Sequence, residues 1–274
     1  MKLTFSLTSF LGIPTLTIVN NFLRNSKGKL AEFRDVDGDL LLYRVVPRLA
    51  MEVLRKYFRL ELKGVENIPK RGPAIILPNH SGYAGFDALI LTHEVSRATK
   101  RVPRVLTHGF WFLSKFTAVP AQKVGFIQAS TENGKYQLKK NNLVILFPEG
   151  EYGNFKATTM RYQLQEFKRG FIRLALERQC PIVPTLIIGA EETHINLSRI
   201  KLPKFLKSAI IPLPLNILPL PAKWKIIFLE PIQFPYTPEA ANDQELVQEL
   251  AQVVRAKMQK ALSAEIAKRG SVYF

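Results

Sequence analysis

A single cysteine, Cys180, is all the thiol chemistry available to this chain of 274 residues. It excludes an intramolecular disulfide and suits a reducing compartment. It stands beside Pro181 ahead of an apolar run, where a free thiol reads as a buried structural group. No Cys/His set at metal-ligand spacing occurs, so neither a metal nor a resident cofactor is expected. No GxSxG turn is present to carry an activated serine. The amino-terminal apolar stretch falls short of the roughly 18 uninterrupted apolar residues of a spanning helix. Basic residues form no block of five or more, and no RNP-type stacking motif appears. Nucleic acid is therefore not expected as a partner.

Negative charge is scarce. Against 39 basic residues stand 22 acidic ones, a formal net charge of +17 and a pI near 10.0. Such an excess attracts something anionic: lipid head groups, nucleic acid or phosphorylated metabolites. Hydrophobic residues make up 47%, which at this length suits one large domain or a domain plus an appendage. The opening MKLTFSLTSFLGIPTLTIVNNFLRN is apolar but broken by Pro14 and polar side chains. Lys2 is its only early charge and no small-x-small cleavage site is clear, so an interfacial membrane segment is preferred to a signal peptide. A plain packing helix is the competing reading. The expected division is an apolar membrane-surface segment over 1–46, a main domain over 47–236 and a carboxy-terminal helix over 237–274.

Within the main domain, Pro47 to Phe58 reads as a helix with Leu49, Val53, Leu54, Tyr57 and Phe58 on one side. Short apolar runs follow: LELKGV, AIILPN, RVLTH, VGFIQ, LVILFPEG and PIVPTLIIGA. Runs of four or more consecutive apolar residues mark strands covered on both faces, hence a mostly parallel sheet. Helical stretches over Asp87–Val95 and Gln163–Glu177 separate some of them, so the fold class is α/β. The segment SAIIPLPLNILPLPAKWKIIFLEPI carries Pro212, Pro214, Pro219 and Pro221 among bulky aliphatics. Those prolines forbid one regular element across it. It suits the wall of an acyl groove or a bilayer contact, or equally a core-covering loop followed by the strand KIIFLEPI. Near the end, Asn242 and Glu245 have capping-box spacing. Leu246, Leu250, Val254, Met258, Leu262 and Ile266 then recur every four residues, the stripe of an amphipathic helix packed on the domain.

The chemistry is concentrated in AIILPNHSGYAGFDALIL, from Ala74 to Leu91. His80 follows a buried strand, at the edge where open α/β sheets place their ligands. A histidine takes a proton near neutral pH usefully only when its tautomer is fixed. Asp87 is the nearest carboxylate, and Ser81, Gly82 and Gly85 let the loop fold back towards it. A helix cap for Asp87 and a loop hydrogen bond for His80 are the simpler alternatives. LVILFPEGEYGNF places Glu149 and Gly150 at a second strand end, with Lys156, Arg161, Lys168, Arg169 and Arg173 nearby. Arginine suits phosphate, although such a run is often only a wetted face. His93, His108 and His194 have no role that the sequence identifies.

Together these pieces resemble the lysophospholipid (glycerolipid) acyltransferases. Asn79, His80 and Asp87 look like the family's first motif and VGFIQ around Gly125 like its second. FPEG, from Phe147 through Pro148 and Glu149 to Gly150, is similar to the third, and PIVP from Pro181 to Pro184 to the fourth. They come in the family's order and span about Pro47 to Pro235. The resemblance implies acyl transfer from a thioester, acyl-CoA or acyl carrier protein, to a lipid hydroxyl. His80 is then the general base, Asp87 holds its imidazole, and no acyl-enzyme forms. Asn79, Gly125 and the FPEG residues would line the acceptor, with Glu149 and Gly150 at its glycerol or head group. It also implies a peripheral or monotopic protein on the cytoplasmic face of a membrane, partnered by membrane lipids.

Three departures bear on the acceptor. Six residues separate His80 from Asp87 where the family usually has four. Gln128, Ala129 and Ser130 stand where the second motif usually has an arginine, and Glu151-Tyr152 replaces the usual Thr-Arg of the third. Either Arg161, Lys168 or Arg169 grips the phosphate, or the acceptor is neutral, such as diacylglycerol or a long-chain alcohol. A non-catalytic protein that binds anionic lipid is the alternative of a different class.

Overall fold

The run AIILP is buried at all five positions, as a strand apolar on both faces requires. In this computed structural model residues 46–81, 85–112, 115–201 and 210–273 are described. The amino-terminal segment read as membrane-facing lies outside them. The strands are β1 (Glu61–Lys63), β2 (Ala74–Pro78), β3 (Arg104–Thr107), β4 (Phe126–Gln128), β5 (Leu143–Leu146), β6 (Ile182–Ile188), β7 (Asn196–Lys201), β8 (Ile210–Pro214) and β9 (Lys225–Phe228). Seven of them form one sheet in the order β1-β9-β6-β2-β5-β3-β4, and β7 with β8 makes a separate antiparallel pair.

From β6 to β4 every neighbouring pair is parallel. β9 runs antiparallel to β6, and β1 runs parallel to β9. The fold is α/β with a mostly parallel sheet, and each strand of the main sheet falls in one of the apolar runs read from the sequence. Ile75 and Leu77 of β2 enter one apolar cluster, while Ala74 and Ile76 enter another. Strand periodicity thus splits the core into two layers.

The helices are α1 (Val46–Tyr57), α2 (Phe86–Thr99), α3 (Lys115–Lys123), α4 (Thr131–Lys139), the single turn α5 (Glu151–Asn154), α6 (Gly170–Arg178), the single turn α7 (Ala190–Thr193) and α8 (Gln244–Ala267). On α8, Val247, Leu250, Ala251, Val254, Met258 and Leu262 are buried in the Ile75–Leu77 layer. Each of the valine, leucine and methionine side chains among them contributes roughly 1.5–3 kcal/mol of burial. The cap of α8 is Asp243, whose Oδ1 accepts from Glu245 N and Leu246 N at 3.0 Å. It is not the expected Asn242, which belongs to the preceding 3₁₀ turn Pro238–Asn242. Nor does a helix run from Gln163. α6 begins at Gly170, because Leu164, Gln165 and Lys168 give their N–H groups to Gln259, Glu149 and Pro148. Among the described residues no helix is long and apolar enough to cross a membrane.

Candidate active site

β2, β5 and β6 point the same way, so residues following them meet at one sheet edge. His80 lies two residues past β2, and its Nδ1 is 2.6 Å from Asp87 Oδ2. The Asp87 carboxylate is fully buried and fully used. Oδ2 also accepts from Ser81 N at 2.9 Å, and Oδ1 accepts from Ala88 N at 2.8 Å. It sits in the first turn of α2, where unpaired N–H groups favour negative charge. A carboxylate so held keeps the proton on Nδ1 and leaves Nε2 as the basic nitrogen. The Phe147 ring lies against the imidazole, centroids 4.1 Å apart, which fixes the ring plane.

Beneath His80 lies a buried charge chain. Glu149 Oε1 accepts from His80 N at 2.9 Å and its Oε2 accepts from Gln165 N at 2.7 Å. The α5 turn closes over it so tightly that a Cβ on Gly153 would stand 2.5 Å from Glu149 Cβ. Lys156, 2% exposed, sits between Glu149 Oε2 at 3.7 Å and Glu191 Oε1 at 3.0 Å. Burial pushes the Glu191 carboxyl up to about 7, against the opposing pull of Lys156. The second carboxylate, Glu149, on the same ammonium acts on Glu191 in the same direction as burial.

Several expected site residues stand elsewhere. Asn79, expected to line the acceptor, is fully buried, and its amide bonds both main-chain groups of Ile187 and locks β2 to β6. Gly125 precedes β4, at the sheet edge opposite His80. It is a turn residue with φ 94°, and a Cβ there would meet Pro103 O at 2.6 Å. Glu149 is buried rather than at the surface expected of a head-group contact, its carboxylate taken by His80 N, Gln165 N and Lys156. Pro148 is buried, its carbonyl accepting from Lys168 N at 2.9 Å. Lys156, grouped with the surface cations, belongs to the interior. Arg169 donates to Gln248 on α8, and Arg161 is exposed near Tyr273.

Only Lys168 of the three candidate phosphate cations reaches FPEG in the observed contacts. Its Nζ lies 3.0 Å from where a Cβ on Gly150 would be, and Gly150 takes φ 57° with ψ −145°, a glycine conformation. The backbone N–H groups of His80, Ser81 and Gly150 are taken by Glu149, Asp87 and Phe147 O, so none of them is free for an oxyanion. Cys180 is buried, its thiol pushed up to about 11 by burial, and so is no nucleophile at neutral pH. His194 stacks on Phe86 and is held by Ile217 O, while His93 pairs with Glu52. The sequence reading missed Glu191 and Gln165. The acidic pair Glu191-Glu192 just past β6 was the available signal for the first.

The family profile described as Acyltransferase matches residues 59–188, which include His80, Asp87 and FPEG. An uncharacterised protein of Mycobacterium tuberculosis is 36% identical over 243 residues, covering 84% of this chain and 68% of its own. The chain belongs to the acyltransferase family. A 1-acyl-sn-glycerol-3-phosphate acyltransferase of Cocos nucifera is 39% identical to this acyltransferase over 69 residues, 25% of this chain and 20% of the coconut one. In fold the acyltransferase is similar to the crystal structure of the 1-acyl-sn-glycerophosphate acyltransferase PlsC of Thermotoga maritima. The TM-score is 0.55 with 17% identity, covering 94% of this chain and 97% of that one.

Proposed function

We propose that this acyltransferase moves a fatty acyl group from a thioester, acyl-CoA or acyl carrier protein, to a hydroxyl of a lysophospholipid at a membrane surface. The observation that carries the reading is the His80–Asp87 pair, 2.6 Å apart, with Asp87 buried and saturated. His80 Nε2 takes the acceptor's hydroxyl proton. The freed oxygen forms an ester bond to the thioester carbonyl carbon, a tetrahedral intermediate collapses, and the C–S bond breaks. The departing thiolate takes the proton back from the imidazolium. Asp87 balances the imidazolium charge between those steps. No protein nucleophile enters, in keeping with a buried Cys180.

Lys168 beside Gly150 supports a phosphorylated acceptor, since an exposed ammonium there is a point charge at the mouth of FPEG. Glu151, one residue on, favours the second reading, a neutral acceptor such as diacylglycerol or a long-chain alcohol. The test offers labelled acyl-CoA and acyl carrier protein against lysophosphatidate, diacylglycerol and a long-chain alcohol. Ester formation with lysophosphatidate, lost in His80→Ala, supports the main reading. Ester with the neutral acceptors alone supports the second. Lipid binding with no transfer would leave a non-catalytic lipid-binding protein. On this reading the protein works as a peripheral protein at the cytoplasmic face.

A further inference from the structure

The paired strands β7 and β8 and the loop after them expose aliphatic side chains where a water-facing surface has no use for them. Leu197, Ile200 and Leu213 are each about half exposed, Leu215 is 65% exposed, Ile217 84% and Leu218 81%. A two-stranded hairpin is marginal in water by itself. The loop is nonetheless held in place. Leu215 N donates to Ile195 O at 2.7 Å and Leu220 N to Thr193 O at 2.8 Å. Asn216 Oδ1 accepts from Ile195 N at 2.8 Å, and Tyr57 donates to Pro219 O at 2.6 Å. The main chain is fixed and the side chains between these ties point outward.

Charge identifies what covers them. Between Glu192 and Glu230 the sequence has no carboxylate. Arg199 and Lys201 stand on β7 and Lys223 follows the loop, while Lys225 is paired with Glu61 and Glu265. Exposed aliphatics within a segment of purely positive charge match an anionic bilayer, which takes apolar side chains below its head groups and cations among them. The strand pair is also tied to the site. Arg199 lies over the Tyr152 ring at 5.1 Å, and Asn196 Nδ2 donates to Phe155 O and Lys156 O. His194 stacks on Phe86, the residue before Asp87. The acyltransferase profile ends at residue 188, before this region begins.

We propose that the paired strands β7 and β8, with the Leu215–Leu218 loop, form the surface by which the protein docks on an anionic lipid bilayer, beside the mouth of the active site. This deepens the proposed function and rests on it only for the reason to dock. Vesicle binding is read without turnover, so the two readings fail separately. The experiment floats the full-length protein with vesicles of phosphatidylcholine, alone or mixed with phosphatidylglycerol. Wild type is expected to favour the anionic vesicles and to weaken in high salt. The Ile217→Ser/Leu218→Ser double variant should lose about tenfold or more in binding. Arg199→Gln/Lys201→Gln should lose about fivefold per charge, on anionic vesicles only. Val102→Ser/Val253→Ser, each about half exposed but elsewhere, should bind as wild type, with unfolding temperatures unchanged throughout. Wild-type-like binding of the Ile217/Leu218 variant, or equal loss in the Val102/Val253 control, would overturn the proposal. So would a change in self-association by that variant without a change in vesicle binding, since the face would then join copies of this chain.

Discussion

His80 and Asp87 meet at 2.6 Å although six residues lie between them. The carboxylate is anchored by the N–H groups of Ser81 and Ala88, one on each side of the intervening loop. Its position is therefore set by the ends of β2 and α2 and not by the loop's length. Asp87→Asn should keep the fold but present an amide that no longer requires the proton on Nδ1. A fall in kcat of roughly a hundredfold to ten-thousandfold, with KM for the acceptor little changed, is expected in steady-state assays.

Glu149 holds the His80 main chain rather than a substrate. In Glu149→Gln one acceptor oxygen becomes a donor facing the N–H of His80 or Gln165. The expected result is a lower kcat with unchanged acceptor KM, and a loss of about 1–3 kcal/mol in denaturant unfolding. A rise in KM alone would return Glu149 to the head group.

Lys168 is the cation over Gly150. Lys168→Ala should raise KM for lysophosphatidate about tenfold while leaving any turnover of diacylglycerol unchanged. Arg169→Ala, whose guanidinium is bound to Gln248 in wild type, should change neither quantity. Initial rates against both acceptors make the comparison.

Glu191 gives the fold a pH dependence. Its carboxyl is pushed by burial from 4.5 up to about 7. Between those values the folded protein keeps a proton that the unfolded chain has lost, so this group's contribution to stability falls as pH rises through that window. Glu191→Gln removes the titration. Urea unfolding at pH 5 and pH 8 should show the variant gaining on wild type at the higher pH, by on the order of 1 to 3 kcal/mol. An unchanged difference between the two pH values would mean that Glu191 stays ionised throughout.

The sheet was legible because buried strands such as AIILP and LVIL are continuous apolar runs, a pattern that needs no partner to be recognised. The His80–Asp87 pairing was legible as chemistry, since both residues flank one loop. The role of Glu149 was not. Nothing in FPEG says whether its carboxylate faces outward or inward, and the answer depends on Lys156 and Gln165, which the fold brings in. Gly125 misled for a related reason. A motif marks a place along the chain, while the sheet edge at which it lies follows from where the strand starts. The irregular stretch before α6 read as helix because its hydrophobic spacing ignores the hydrogen bonds that Gln165 and Lys168 spend elsewhere.

The most direct measurement follows labelled acyl groups from a thioester to lysophosphatidate on vesicles, with wild type and His80→Ala side by side. Labelled diacyl product from wild type, cut by about a hundredfold or more in a folded His80→Ala protein, is the predicted result. Equal turnover by the two proteins would contradict the role given to this imidazole.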